Sequence, residues 1–333
     1  MDRRHTVSPR LVQAILLVAL FIVAVLAISW QSGAISTSEA VRALFAGPND
    51  TPLSAIVWQV RLPRLLGTAC VGAMLAAVGS AYQALFRNPL AEPYVIGISS
   101  GAALGGVLAL LTGVLSFAGA LALPLAGFLG AWVSLLLVMA FAGRGKTDSA
   151  HLILVGVATG TFLGAGVSLA LAWAGRDSND ILRWLLGDTS TLVWPKVYVL
   201  LAMVAVTVLG FRPLLLQLNA LALGDESARR LGVDTGRLRS LILVLGAAVT
   251  GTAVGTVGII GFVGLVAPHL ARLWVGVDWR RSFPVSVWMG ALLLVISDIG
   301  AQRLLYPREV PLGVITAVIG GPVLLWMLSR PRR

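Results

Sequence analysis

Arg87 to Gly106 reads RNPLAEPYVIGISSGAALGG. Its first part is polar and carries Pro89 and Pro93; its second part is a run of small and aliphatic residues. Within it, Gly97-Ile98-Ser99-Ser100-Gly101 matches the G-x-S-x-G pattern of a serine hydrolase elbow. That elbow needs a strand leading into a sharp turn and a helix. The two prolines instead prevent a continuous helix through NPLAEP, so one helix ends near Phe86 and the next begins near Tyr94. Ser99 then falls a turn and a half inside a helix, with no strand before it. A serine nucleophile would also need a histidine base, and only His269 and His151 lie in or beside apolar blocks. The stretch therefore reads as a helix junction packed through glycine.

Working outward, the chain of 333 residues is 58% hydrophobic and 12% charged. An ordinary soluble domain is nearer a quarter charged. The apolar residues come in blocks long enough to cross a hydrocarbon core of about 30 Å, among them Leu11 to Trp30, Ala120 to Phe141, Val197 to Phe211 and Pro284 to Ile296. No long polar segment exists to form a soluble domain. The composition predicts an all-α polytopic membrane protein, a single transmembrane domain over 1–333. The basic N-terminus MDRRHTVSPR leads into an apolar run too long for a signal peptide and without an A-x-A site, so it reads as an uncleaved first helix. One cysteine, Cys70, forms no intrachain disulfide and reads as a small buried hydrophobe. The three histidines have no metal-ligand spacing.

Ten spans are expected, at about 11–30, 60–84, 94–112, 119–142, 149–174, 195–211, 239–258, 260–275, 283–303 and 312–329. The first loop and the segment after the fifth span are each expected to hold a short interfacial helix. With the N-terminus in the cytoplasm, seventeen of the 25 Lys and Arg fall inside. This fits the positive-inside rule with both termini cytoplasmic. It reads the net charge of +11 as orientation, with no nucleic-acid partner. Glycines 97, 101 and 105, and 156, 160 and 164, recur every four residues. That spacing puts them on one helix face, where membrane helices approach closely.

The longest cytoplasmic interruption, 212–238, contains GDESARRLGVD. Acids at its start and arginines a turn later suit the helix dipole, and Gly224 and Gly232 punctuate both ends. A short amphipathic surface helix is expected there. Mid-span positions hold almost no ionisable residue, which argues against ion-coupled transport; Asp298, about a turn from the outer end of the ninth span, is expected to hydrogen-bond structurally. No G-x-x-x-x-G-K-[ST] occurs, so the chain binds no ATP of its own.

Five blocks resemble the FecCD family: RLPR (Arg61–Arg64), RNPLAEPYVIGISSGAALG, ALGDESARRLGV (Ala222–Val233), GFVGLVAPHLARLWVG (Gly261–Gly276) and EVPLGVITAVIGGPVLLWML (Glu309–Leu328). They run in family order from about residue 55 to 330. The resemblance implies a permease subunit of an ABC importer in a bacterial cell membrane, moving an iron–siderophore, haem or vitamin B12, with an iron chelate the first choice. It implies a second copy of the chain, two ATPase subunits that bind ATP and Mg, and an extracytoplasmic binding protein. It makes Gly224, Asp225, Glu226, Ala228, Arg229, Leu231 and Gly232 the ATPase-coupling segment. It makes Arg61 and Arg64 docking points for the binding protein, and Ser149 and Ala150 a cytoplasmic gate. Family members place a further docking arginine four residues after the aspartate of the ninth helix. Here Gln302 stands at that place and the arginine is Arg303, turned by about 100°. An intramembrane hydrolase at Ser99 and an ion-coupled transporter are the readings from other classes.

Overall fold

The computed structural model describes residues 7–29, 37–48, 51–143 and 149–329. Among these there is no β-strand. The helices, in order, are α1 (Pro9–Ser29), α2 (Thr37–Ala46), α3 (Pro52–Ala55), α4 (Leu62–Leu85), α5 (Ile98–Thr112), α6 (Ala122–Ala142), α7 (Ser149–Trp173) and α8 (Ser178–Leu185). They continue with α9 (Trp194–Phe211), α10 (Leu215–Ala222), α11 (Asp225–Arg230), α12 (Thr235–Val257), α13 (Val263–Val275), α14 (Trp279–Arg303) and α15 (Leu312–Ser329). Eight stretches are long and apolar enough to cross a membrane, and α5 and α13 are shorter apolar helices. These ten stand where ten spans were expected. Helices α2 and α8 occupy the two outer segments expected to hold surface helices.

The helical runs depart from the expected spans at identifiable places. The second begins at Pro52 and passes through a wide turn at Ile56–Arg61 before α4. Pro52 is a favourable first residue, and Thr51 caps the run by accepting from the Ser54 N–H. The sixth runs on past Phe211 through Arg212–Leu214 to Ala222.

Two spans are shorter than expected. Helix α5 starts at Ile98, after a 3-10 turn at Pro93–Ile96 and a left-handed Gly97 with φ 74°. Helix α13 starts at Val263, after Gly258 to Gly261 and a left-handed Phe262 with φ 68°. At 1.5 Å per residue they measure about 22 and 20 Å, short of a hydrocarbon core of about 30 Å. Irregular backbone at that depth persists only where protein satisfies its polar groups.

Helix α4 is the centre of the bundle. It packs on α9, α12, α13 and α14, and 89% of its most apolar window is buried. Small residues allow this: a methyl added to Gly72 would fall 2.3 Å from the Gly290 carbonyl oxygen of α14. By contrast, α7 and α15 are only 17% and 22% buried.

Candidate functional site

The two short helices begin beside each other. Glu92, just before the turn that leads to α5, accepts the Phe262 N–H of the α13 N-terminus at 3.2 Å. The Tyr94 hydroxyl oxygen accepts the Ile260 N–H at 2.6 Å. The Ile259 N–H reaches the Leu185 carbonyl of α8 at 3.1 Å. Thus the donors of Ile259, Ile260 and Phe262, freed by the unwinding, find partners from distant chain segments. Gly97, in turn, sits on α7: a methyl there would fall 2.7 Å from the Gly156 carbonyl oxygen and the Gly160 nitrogen. The carbonyl of Gly97 accepts from the Ser134 hydroxyl at 2.9 Å. The sequence reading left Glu92 in a polar loop and found mid-span positions nearly free of ionisable groups. The structure corrects this: the carboxylate caps a helix about 20 Å from that helix's cytoplasmic end.

Beside this junction lies a cavity of about 780 Å³. Ser100 and Ala103 of α5, Gly164 and Val167 of α7, Ile259, Gly261 and Phe262 of the unwound segment, and Val314, Ala317 and Val318 of α15 line it, with residues of α8. No lining residue is ionisable, and Ser100 carries the lone polar side chain among them. The cavity is bordered by two sparsely buried helices, α7 and α15; α1 is as sparsely buried, at 22%, but does not line it. Gly164 and Gly321 have nothing within 4 Å of an added methyl, so these glycines face open space. Ser99, next to Ser100, is 1% exposed and lies in the first turn of α5. Its hydroxyl has no hydrogen-bond partner among the described residues. It has neither the strand before it nor the base beside it that an elbow nucleophile requires.

On the cytoplasmic face the segment that the resemblance assigns to ATPase coupling forms the short helix expected there. Gly224, at φ 106°, precedes α11 in a conformation that favours glycine. Its residues divide by direction. Ala228 is fully buried, and Asp225 turns inward to Arg239 of α12 at 2.7 Å. Glu226, Arg229 and Leu231 are exposed, as are Leu223 before the helix and Gly232 after it. Glu226 pairs with Arg230 at 2.5 Å across one turn. A second anchor holds the preceding helix: Asn219 of α10 donates to Asp278 at 2.8 Å and accepts the Trp279 N–H at 3.0 Å. Burial pushes the Asp278 carboxyl up, but hydrogen bonds from Arg280 and Asn219 outweigh it and hold it at about 2. Its contribution is therefore present above the ordinary carboxylate range and is lost only as pH falls through about 2. Ser149 and Ala150, which the resemblance assigns to a gate, begin α7. Ala150 is exposed, and the side chain of Ser149 lies outside the described residues.

The outer end is built on paired charges. Arg64 at the start of α4 donates to Asp298 of α14 at 3.0–3.3 Å, and to Glu309 at 2.9 Å through each of two nitrogens. Asp298 also accepts from Thr189 at 2.5 Å and from Gln302 at 2.7 Å. Arg61 donates to the Ile28 carbonyl of α1. Arg61 and Arg64 are 3% and 7% exposed. Each guanidinium is thus engaged within the subunit. Gln302, which stands in the family's arginine place, holds Asp298, and Arg303 is half-buried beside it. Asp298 has the structural hydrogen-bonding role expected of it. Glu309 and Thr189 were not singled out from sequence, and Gln302 only as standing in the family's arginine place, because nothing local marks them as partners of Arg64 or Asp298.

Ten apolar helices among the described residues, two of them short and beginning at breaks beside an uncharged cavity, define a multi-pass transport protein of the broken-helix kind. The chain belongs to the FecCD transport family, whose model matches residues 16–330, and it is a permease of the ABC-importer type. It is 38% identical to the Fe(3+) dicitrate transport system permease protein FecC of Escherichia coli (strain K12), over 89% of this chain and 90% of that one. It is 41% identical to the vitamin B12 import system permease protein BtuC of Vibrio cholerae serotype O1, over 83% of each. A solved inward-facing metal-chelate-type ABC transporter superposes with a TM-score of 0.83 at 31% identity, covering 96% of this chain and 99% of that one.

Proposed function

We propose that two copies of this chain face each other across the cavity and form the pathway of an importer for an iron chelate. The observation that carries this is the uncharged cavity, bordered by α7 and α15 with their open glycines. A sparsely buried helix face can meet lipid, but glycines facing outward favour close approach of another backbone. A wall without charge holds a large chelate weakly and lets it leave, so specificity rests with the binding protein outside. Vitamin B12 is the alternative cargo, since relatives of similar identity import either.

Two ATPase subunits bind ATP and Mg at the cytoplasmic face of a bacterial cell membrane. They grip the exposed side of the coupling segment, Leu223, Glu226, Arg229 and Leu231, while Asp225 and Ala228 transmit its motion into α12. ATP moves the bundle only by binding one arrangement better than the other. The binding protein docks on the outer face near Arg303, with Arg61 and Arg64 holding that surface in shape.

The test is uptake into phosphatidylethanolamine and phosphatidylglycerol vesicles carrying the chain with its ATPase, in the presence of its binding protein. ATP-dependent uptake of radiolabelled ferric dicitrate is expected, and uptake of labelled cyanocobalamin alone would reassign the cargo. Ala150→Cys is expected to cross-link two copies in one nucleotide state and not the other. Absence of cross-linking in every state would remove the paired arrangement.

A further inference from the structure

We infer that Glu92, with Tyr94, is a positioning residue for transport: it holds the unwound Ile259–Phe262 turn and so ties the two flanks of the cavity together. The inference rests on reading that cavity as the pathway, and its basis is the set of contacts around the junction. Phe262 stands before α13 in a left-handed conformation that a bulky residue adopts only under constraint. No side chain of its own segment caps the helix. The cap comes instead from Glu92, 170 residues earlier. Among the described residues no ion pair reaches Glu92. Its charge is met by a backbone N–H and by the positive end of α13.

The consequence is mechanical. On one side, the Glu92–Gly97 segment lies against α7: a methyl on Gly156 would fall 2.7 Å from the Ile96 Cα, and one on Gly160 would fall 3.0 Å from the Gly97 Cα. On the other side, a methyl on Gly320 of α15 would fall 2.3 Å from the Phe262 side chain. Two hydrogen bonds, at Glu92 and Tyr94, join these halves. A movement of α7 is thereby passed to Phe262 and to α15. A helix without this break would carry its own bonds and would not depend on a side chain from elsewhere.

Gly261 offers a place to read the turn. It lines the cavity and has nothing within 4 Å of an added methyl. In a chain carrying Cys70→Ala and Gly261→Cys, reconstituted with its ATPase, the rate of modification by a water-soluble thiol reagent is measured without nucleotide and with vanadate-trapped nucleotide. The parent is expected to differ between the two states. Glu92→Gln keeps the shape and an acceptor but loses the charge that roughly doubles such a bond. It is expected to assemble with the ATPase and hydrolyse ATP within about twofold of the parent, while the state difference falls about tenfold, the factor that 1.4 kcal/mol represents. Tyr94→Phe, which removes one hydroxyl, carries the same measurement if Glu92→Gln does not assemble. A purely structural cap would lower assembly or leave the state difference intact, and an intact difference in whichever variant assembles overturns the inference. Failure of both variants to assemble makes the pair structural and overturns it as well. A parent that shows no state difference overturns the pathway reading itself, and the inference with it.

Discussion

Helices α4 and α7 are alike in length, with 24 and 25 residues, yet one is 89% buried over its apolar window and the other 17%. In water, that difference would be written in hydropathy. Here the less buried helix is the more apolar of the two, because the bilayer is as apolar as the protein interior. What separates the two helices is the space around their small residues. A methyl on Gly79 of α4 would fall 1.9 Å from the Gly264 carbonyl oxygen at the start of α13. Gly164 of α7 has nothing within 4 Å. The first glycine is needed by the subunit, and the second is left for whatever meets the cavity.

The largest effect should come from breaking this contrast directly. Gly79→Val would force two backbones apart, and overpacking of that kind costs about 3 kcal/mol or more. Folded protein recovered in detergent should fall steeply, with any remainder melting well below the parent. Gly164→Val should melt as the parent does, with a change within about 0.5 kcal/mol, yet lower ATP-dependent uptake. Equal melting losses in both would show that the open face is not open. Full uptake by Gly164→Val would place that glycine against lipid.

How much of this was legible in the sequence follows the same line. The ten apolar blocks and the surface helices α2, α8 and α11 could be read directly, because length and punctuation are local properties. The starts of α5 and α13 could not. Pro89 and Pro93 announced a break, but the unwound residues 259–262 depend on acceptors from Glu92 and Tyr94, 170 and 166 positions away. Arg64 was expected at the outer surface, because the resemblance makes it a docking point. Its carboxylates lie 234 and 245 positions later, and no pattern of spacing announces them. The coupling segment was found as a helix, but its inward and outward sides were not distinguished until Arg239 was seen behind Asp225.

The Arg64 cluster extends the contrast from shape to charge. Removing one partner of a buried pair strands the other, at a cost of about 3–5 kcal/mol. Arg64→Ala should therefore destabilise the subunit by several times the cost of an exposed charge change. It would leave Asp298, 7% exposed, with only Thr189 and Gln302. The sharpening experiment is a double-mutant cycle. Asp298→Ala made on top of Arg64→Ala should cost much less than Asp298→Ala alone, read as detergent melting temperatures. Additive losses would mean that the two groups do not stabilise the outer end together, and Arg64 would return to being a surface cation.

The smallest effect tests the contrast within the coupling segment, where two ion pairs stand side by side. Asp225–Arg239 has side-chain exposures of 23% and 9%, and Glu226–Arg230 of 81% and 78%. Water screens the second pair, and an exposed pair one helical turn apart contributes about 0.3–0.5 kcal/mol at most. Hydrogen bonds to charged groups with a buried partner contribute about 1.5–3 kcal/mol, and partial exposure of Asp225 puts it toward the lower end. Asp225→Ala should thus lower the melting temperature measurably, with little response to salt, because Arg239 remains buried. Glu226→Ala should leave melting unchanged. Their functional effects should reverse that order in one respect. Glu226→Lys alters the surface offered to the ATPase without loosening the subunit, so uptake per ATP hydrolysed should fall while the melt stays the same. If Glu226→Lys melts early, the segment's outer face is part of the subunit's own structure. If it transports normally, the ATPase grips the segment through Leu223, Arg229 and Leu231 alone.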